Sequence, residues 1–155
     1  MVYLPIIMRL LTKDINTNHG NATYYWDGRF HLVPRDFDFP KAPLRVLFQY
    51  WILGDRRQGL PPFKSLQAND LTGDPRKRLP DVKYAMNKIE SLCRSKNIWI
   101  PEPTASQINH MFDQIRYDLG ISGATDQNRQ RRVEQLAWTT AQKIMRKSAR
   151  ASINR

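Results

Sequence analysis

Across 155 residues the chain carries 25 Lys/Arg against 14 Asp/Glu, a formal charge of +11, a pI near 10.2 and 41% hydrophobic residues. That apolar content over that length supports one domain with a proper core, alone or with an appended helical piece, and argues against disorder throughout. A positive excess of this size repels itself unless a polyanion compensates it, which points to DNA, RNA or an anionic membrane surface; no apolar run approaches the roughly 20 residues of a membrane span.

The chain opens on the apolar but short run Val2 to Leu11, which lacks the basic start and cleavage site of a secretory signal. The single cysteine, Cys93, excludes an internal disulfide. Together these predict an intracellular protein. Residues 12–21 are polar and turn-rich and read as a loop. Ala22–Trp26 and Arg29–Val33 flank Asp27-Gly28, the sequence of a two-residue type I′ turn, and predict a β-hairpin. Pro34, Pro40 and Pro43 keep residues 34–43 extended, with Phe37 and Phe39 alternating to cover one side of the core.

Pro43 is expected in the first turn of a helix. Leu44, Leu47, Phe48 and Trp51 follow at helical spacing, and Gly54-Asp55 ends the run. One or two helical turns are expected around Phe63 and Leu66, then turn chemistry from Asn69 to Pro75. Pro80 is the expected start of another helix, with Asp81 near its positive end. Val82, Ala85, Met86, Ile89, Leu92 and Cys93 form its apolar stripe. After a connector, Thr104 and Gln107 have capping-box spacing, and Ile108 to Leu119 continues as a helix that stops at Gly120. The last helix is expected from about Asp126 to Ser148, with Val133, Leu136, Ala137, Thr140, Ala141 and Ile144 as its apolar side and a frayed end beyond.

Charge is concentrated in the middle of the chain. Residues 1–43 carry five Lys/Arg against four Asp/Glu, a net +1; residues 44–98 carry eleven against five, a net +6; residues 99–155 carry nine against five, a net +4. The densest run, Arg76-Lys77-Arg78, precedes the expected helix start at Pro80. Three cations at the positive end of a helix dipole are unfavourable unless an anion sits there, so they read as a phosphate clamp; the plainer alternative is a solvated basic loop. On the helix itself Lys83, Asn87, Ser91 and Arg94 run along one edge, with Tyr84 and Lys88 beside them. Asparagine and basic side chains at this spacing are types that read base edges in a major groove, and Lys83 and Asn87 lie in the half that usually enters it. An ordinary solvent-facing surface explains the same residues. A second basic face is expected from Arg129, Arg131, Arg132, Lys143, Arg146 and Lys147, and its helix also needs something to cover its apolar stripe. Trp26, Trp51, Trp99 and Trp138 lie within apolar patterns and are expected in the core rather than stacked on bases.

Catalytic constellations are weak, and nothing in the sequence points to an active site assembled from distant residues. Asp36 and Asp38 lie in an extended, proline-flanked segment, and His19, His31 and His110 are too far apart to suggest a zinc framework. No catalytic residue, metal or cofactor is expected.

Trp51, Gly54, Pro61-Pro62-Phe63, Leu66, Arg76 to Arg78 and Met86-Asn87-Lys88-Ile89 together resemble the C-terminal DNA-binding domain family named after the yeast glycolytic-gene transcription activator. The resemblance covers roughly residues 44–95. The preceding Trp26 to Pro34 and Asp36 to Pro40 look like segments ahead of related domains in protist and transposon-associated proteins. The loop before the third helix lacks the family's usual Tyr-Gly and Trp-Arg pairs. The resemblance implies a homeodomain- or Myb-like three-helix unit with residues 80–95 as recognition helix. It gives Arg76, Lys77, Arg78, Lys83, Asn87 and Lys88 the DNA-contact role.

The sequence therefore predicts a mainly α protein with three parts. These are an N-terminal β-hairpin segment (1–43), a helix-turn-helix-like unit (44–96) and a C-terminal helical pair with a basic tail (97–155). The expected function is non-enzymatic binding of double-stranded DNA in the nucleus, in a transcription-factor-like or transposon-derived role. A partner chain or a second copy could engage the C-terminal helices, and no membrane is expected. The rival reading is a basic assembly subunit of a protein or ribonucleoprotein complex, binding through helices 104–148. A mobile-element enzyme fragment is a further rival, but the separated Arg, His-x-x-Arg and Tyr set of a tyrosine recombinase is not found.

Overall fold

The computed structural model describes residues 8–12, 21–26, 28–121 and 133–155. Of the loop expected at 12–21, Thr12 and Asn21 are strand ends instead and residues 13–20 lie outside the described residues, as do residues 122–126 and the expected start of the last helix. Strands β1 (Met8–Thr12), β2 (Asn21–Trp26) and β3 (Arg29–Leu32) form an antiparallel sheet in that order, with Met8 opposite Tyr25 and Trp26 opposite Arg29. Gly28 holds φ 74° between β2 and β3, a value that favours glycine. Strand β1 was not anticipated by the sequence reading. The rest of the described chain is mainly helical.

Pro43 is extended (ψ 159°) and caps helix α1 (Leu44–Leu53) from outside rather than occupying its first turn. The helix buries Leu44, Leu47, Phe48, Trp51 and Ile52. It ends at Gly54, whose φ is 70° and whose N–H donates to the Tyr50 carbonyl. A Cβ there would lie 2.5 Å from the Leu60 carbonyl oxygen, because Asp55 and Leu60 pair as the chain doubles back. Two single 3-10 turns follow, Phe63–Ser65 and Ala68–Asp70. Phe37, Phe39 and Phe63 meet edge to face at 5.2–5.7 Å, and Tyr50 stacks on Phe63 at 5.5 Å. Phe37 and Phe39 thus close one side of the core, as their alternation predicts.

Helix α2 runs from Gly73 to Ser95 and corrects the expected start at Pro80. Asn69 to Pro75 is not all turn: Thr72 is the cap, and Asp74 and Pro75 occupy the first turn. Both suit a helix start, an acid near the positive end and a proline where no intrahelical donor is needed. Pro80 then lies inside the helix, where its ring removes one hydrogen bond and disfavours helical geometry at Leu79. Tertiary packing overrides that cost. Leu79, Val82, Ala85, Met86, Ile89 and Cys93 are all buried, whereas Pro80 is exposed on the side where solvent reaches the freed Arg76 carbonyl.

Helix α3 (Ala105–Ile115) starts at the expected capping box. The Thr104 hydroxyl accepts from the Gln107 N–H, and the Thr104 N–H donates to Gln107 Oε1 at 2.9 Å. A 3-10 turn carries the chain to Leu119, and Gly120 ends it in the left-handed region. The last helix is not continuous over 126–148. Residues 133–135 are helical, but Ala137 is extended and pairs with Pro43. Helix α4 then runs Trp138–Ile153, so the segment after Ser148 expected to fray is helical. The interruption is a tertiary effect: the Trp138 N–H donates to the Ala42 carbonyl and its indole Nε1–H to the Pro40 carbonyl.

Helix α1 packs on α3, and α2 packs on both α3 and α4. One core cluster extends from Phe37 to Met145, so residues assigned from sequence to separate segments share it. Its large buried side chains, Phe48, Phe63, Phe112 and Trp138 among them, each contribute roughly 1.5–3 kcal/mol or more of transfer free energy.

Candidate nucleic-acid interface

Successive residues on a helix are 100° apart, which decides what Arg76-Lys77-Arg78 can do. Inside α2 the three side chains leave in three directions and cannot close on one phosphate ahead of the helix. Arg78 is half-buried and donates to both carboxylate oxygens of Asp38 at 3.2 and 3.3 Å. Lys77 lies 4.0 Å from Asp74 across a fully wetted pair. Arg76 alone points along the exposed edge that continues through Lys83, Asn87, Ser91 and Arg94. The phosphate clamp at a helix start is therefore corrected. The run is the first part of a longer stripe, and the positive end of the helix lies earlier, beside Asp74.

From Arg76 to Arg94 the stripe is about 27 Å long at 1.5 Å per residue. Arg76, Lys83, Asn87, Lys88 and Ser91 are exposed, and their side chains make no hydrogen bond or ion pair with any described residue. Two members of the expected reading surface, Arg94 and Tyr84, are already engaged. Arg94 pairs with Glu90 at 2.8 Å and lies over the Trp99 ring at 4.9 Å. Tyr84 is half-buried beneath the Arg146 guanidinium, 4.2 Å from its ring centre. Tyr84 and Arg94 are thus structural contacts in this chain rather than open contact residues.

The second basic face is split in the same way. Arg129, Arg131 and Arg132 lie outside the described residues. Arg146 turns inward, donating to Asp81 at 2.9 Å and to Gln142, and so joins α4 to α2. Lys143 and Lys147 are exposed, and Arg150 extends them at i, i+4 and i+7, a spacing the sequence already held. Arg78 and Asp81 face the start of α4, and Asp81 and Tyr84 face Arg146, so the contacts advance in the same direction along both helices. Lys143 lies beside Arg78 and Asp81 at the seam between the two helices.

No family model, curated protein or solved structure matches the chain. The residues themselves therefore carry the assignment. Among the described residues no three His, Cys, Asp or Glu side chains gather where they could hold a metal ion. No described helix is long and apolar enough to cross a membrane. Trp51 and Trp138 are buried, and Trp99 is partly buried under Arg94, which leaves none of these three as an open stacking platform. Cys93 is fully enclosed, and burial, with Glu90 nearby, pushes its thiol up to about 11.

Around Arg45 the charges are spent internally. Arg45 reaches Glu134 with two nitrogens and Asp113 with one, and lies 4.7 Å over the Phe112 ring. Hydrogen bonding to Glu134 raises its guanidinium above the ordinary value. Arg116 reaches the same two carboxylates at 3.3 and 3.4 Å. The sequence offered no signal for this quartet, which joins α1, α3 and residues 133–135.

Proposed function

We propose that the chain is a non-enzymatic protein that binds double-stranded DNA, with α2 facing the duplex and the exposed lysines of α4 beside it. The helix-turn-helix-like reading of residues 44–96, and a nuclear, transcription-factor-like or transposon-derived role, belong to this proposal. The observation that carries it is the outer face of α2. The side chains of Arg76, Lys83, Asn87 and Lys88 stand exposed over about 18 Å of helix without an ion pair or hydrogen bond to any described residue. Unpaired cations on a protein of this net charge gain most by displacing the counterions of a polyanion. Asn87 sits among them and has the two-sided amide that matches an adenine edge.

The assembly-subunit reading asks the helices of 104–148 for a free apolar stripe. Ile108, Met111, Phe112 and Ile115 of α3, and Trp138, Ala141 and Met145 of α4, are instead buried in the chain's own core. That favours the nucleic-acid reading.

A salt titration of binding to random duplex, a selected duplex and single-stranded RNA tests it. Four to seven phosphate contacts predict a log–log salt slope of about −4 to −6. Absence of duplex binding at about 50 mM salt, where such contacts are strong, refutes the proposal. Arg76→Ala is expected to weaken all sequences alike, whereas Asn87→Ala relaxes sequence choice. Equal effects on every sequence remove the base-reading role of Asn87.

A further inference from the structure

At the seam between α2 and α4, beside the loop that carries Phe39 and Lys41, lies a cavity of about 410 Å³. Lys41 and Lys143 open into it, with Arg78 and Asp81 on the α2 side. Both of the latter are already engaged, Arg78 with Asp38 and Asp81 with Arg146, so the two lysines set its free charge. Gln142 also lines it and is only 4% exposed. Its Oε1 accepts from Arg146, which turns the amide so that its NH2 group is the free end. No described residue accepts from that NH2. That nitrogen is not among the fully enclosed atoms left without a partner, so the NH2 keeps access to solvent beside the cavity its residue lines. The wall of the cavity also holds Thr139, in the first turn of a 16-residue helix, whose backbone N–H has no acceptor among the described residues.

We propose that this cavity binds a phosphate group, held by Lys41 and Lys143 and by the donated N–H groups of Gln142 and Thr139. Two lysines and two unpartnered N–H groups face the cavity, which is the arrangement an oxyanion needs; the one acid on the wall, Asp81, is held by Arg146 through Oδ1. The site is separate from the α2 stripe and does not depend on duplex binding. A free phosphate and a backbone phosphate of a duplex offer it the same chemistry.

The test is a titration of the full chain with inorganic phosphate, followed by NMR at the Gln142 side-chain amide and the Thr139 backbone amide. Saturable shifts at both groups are expected, with none from sodium chloride at matched ionic strength. Lys41 and Lys143 are exposed, so Lys41→Ala with Lys143→Ala leaves the core intact and is expected to weaken binding about tenfold or more. Gln142→Leu, with folding checked by circular dichroism, is expected to weaken it also. Unchanged affinity in the lysine double variant overturns the proposal. So do shifts that fail to saturate into the tens of millimolar. A duplex that displaces bound phosphate identifies a backbone phosphate as occupant, and a duplex that does not identifies a free one. Saturable phosphate binding without duplex binding retains this site and removes the DNA function; the reverse removes the site and retains the function.

Discussion

Arg45 and Arg116 each reach both Asp113 and Glu134, with less than a fifth of either arginine side chain exposed. On α2, by contrast, Arg76, Lys83 and Lys88 stand in solvent and reach no described carboxylate. The residue types are similar, but the local carboxylate supply differs. Around Arg45 the fold brings acids from α3 and from residues 133–135 to one arginine of α1. Along α2 the nearby acids are taken, Asp81 by Arg146, Glu90 by Arg94 and Asp38 by Arg78. Net charge therefore locates nothing by itself. Unspent charge locates the surface that can gain from an anion.

The comparison breaks most visibly at Arg45. Arg45→Ala leaves two acids without their main partner and uncovers Phe112, and is expected to cost about 2–4 kcal/mol in denaturant unfolding, with duplex affinity unchanged for the folded protein. A loss below about 0.5 kcal/mol, the range of ordinary surface changes, would mean that this quartet is as dispensable as the α2 stripe. Pro80→Ala restores an interior hydrogen-bond donor on the exposed side of α2 and is expected to stabilise the protein by about 1–2 kcal/mol. A destabilised variant would show that the proline is needed where it stands. Lys83→Ala is the reciprocal of the arginine test. Stability should move by less than about 0.5 kcal/mol, while the log–log salt slope of duplex binding becomes shallower by about 1.

Near neutral pH the smallest effect is expected at Cys93. Its thiol is raised to about 11 from 9.0, so the unfolded chain loses the proton first as pH rises. The stability contribution is intact below about pH 9 and is lost as pH climbs through 11. At pH 8 the native thiol should resist alkylating reagents until the protein unfolds. Rapid labelling under native conditions would show that α2 opens locally.

Local signals in the sequence were reliable where the structure they specify is also local. The stop of α1 at Gly54 needs a positive φ, and the start of α3 needs only Thr104 and Gln107 three residues apart. The apolar stripe from Val82 to Cys93 follows from helical periodicity alone. The candidate face was legible in the same way, because the spacing of Lys83, Asn87 and Ser91 places them on one side of whatever helix contains them.

The sequence by itself determined the net charge, the apolar faces of the helices and the caps whose partners lie within one turn. Tertiary structure decided where α2 begins, where α4 is interrupted and which cations remain available. Each of those depends on a partner far along the chain: buried Leu79 against the core, Ala42 and Pro43 against Trp138 and Ala137, Asp38 against Arg78. Such contacts leave no periodicity to read, since their energy comes from groups that meet only after the chain has folded.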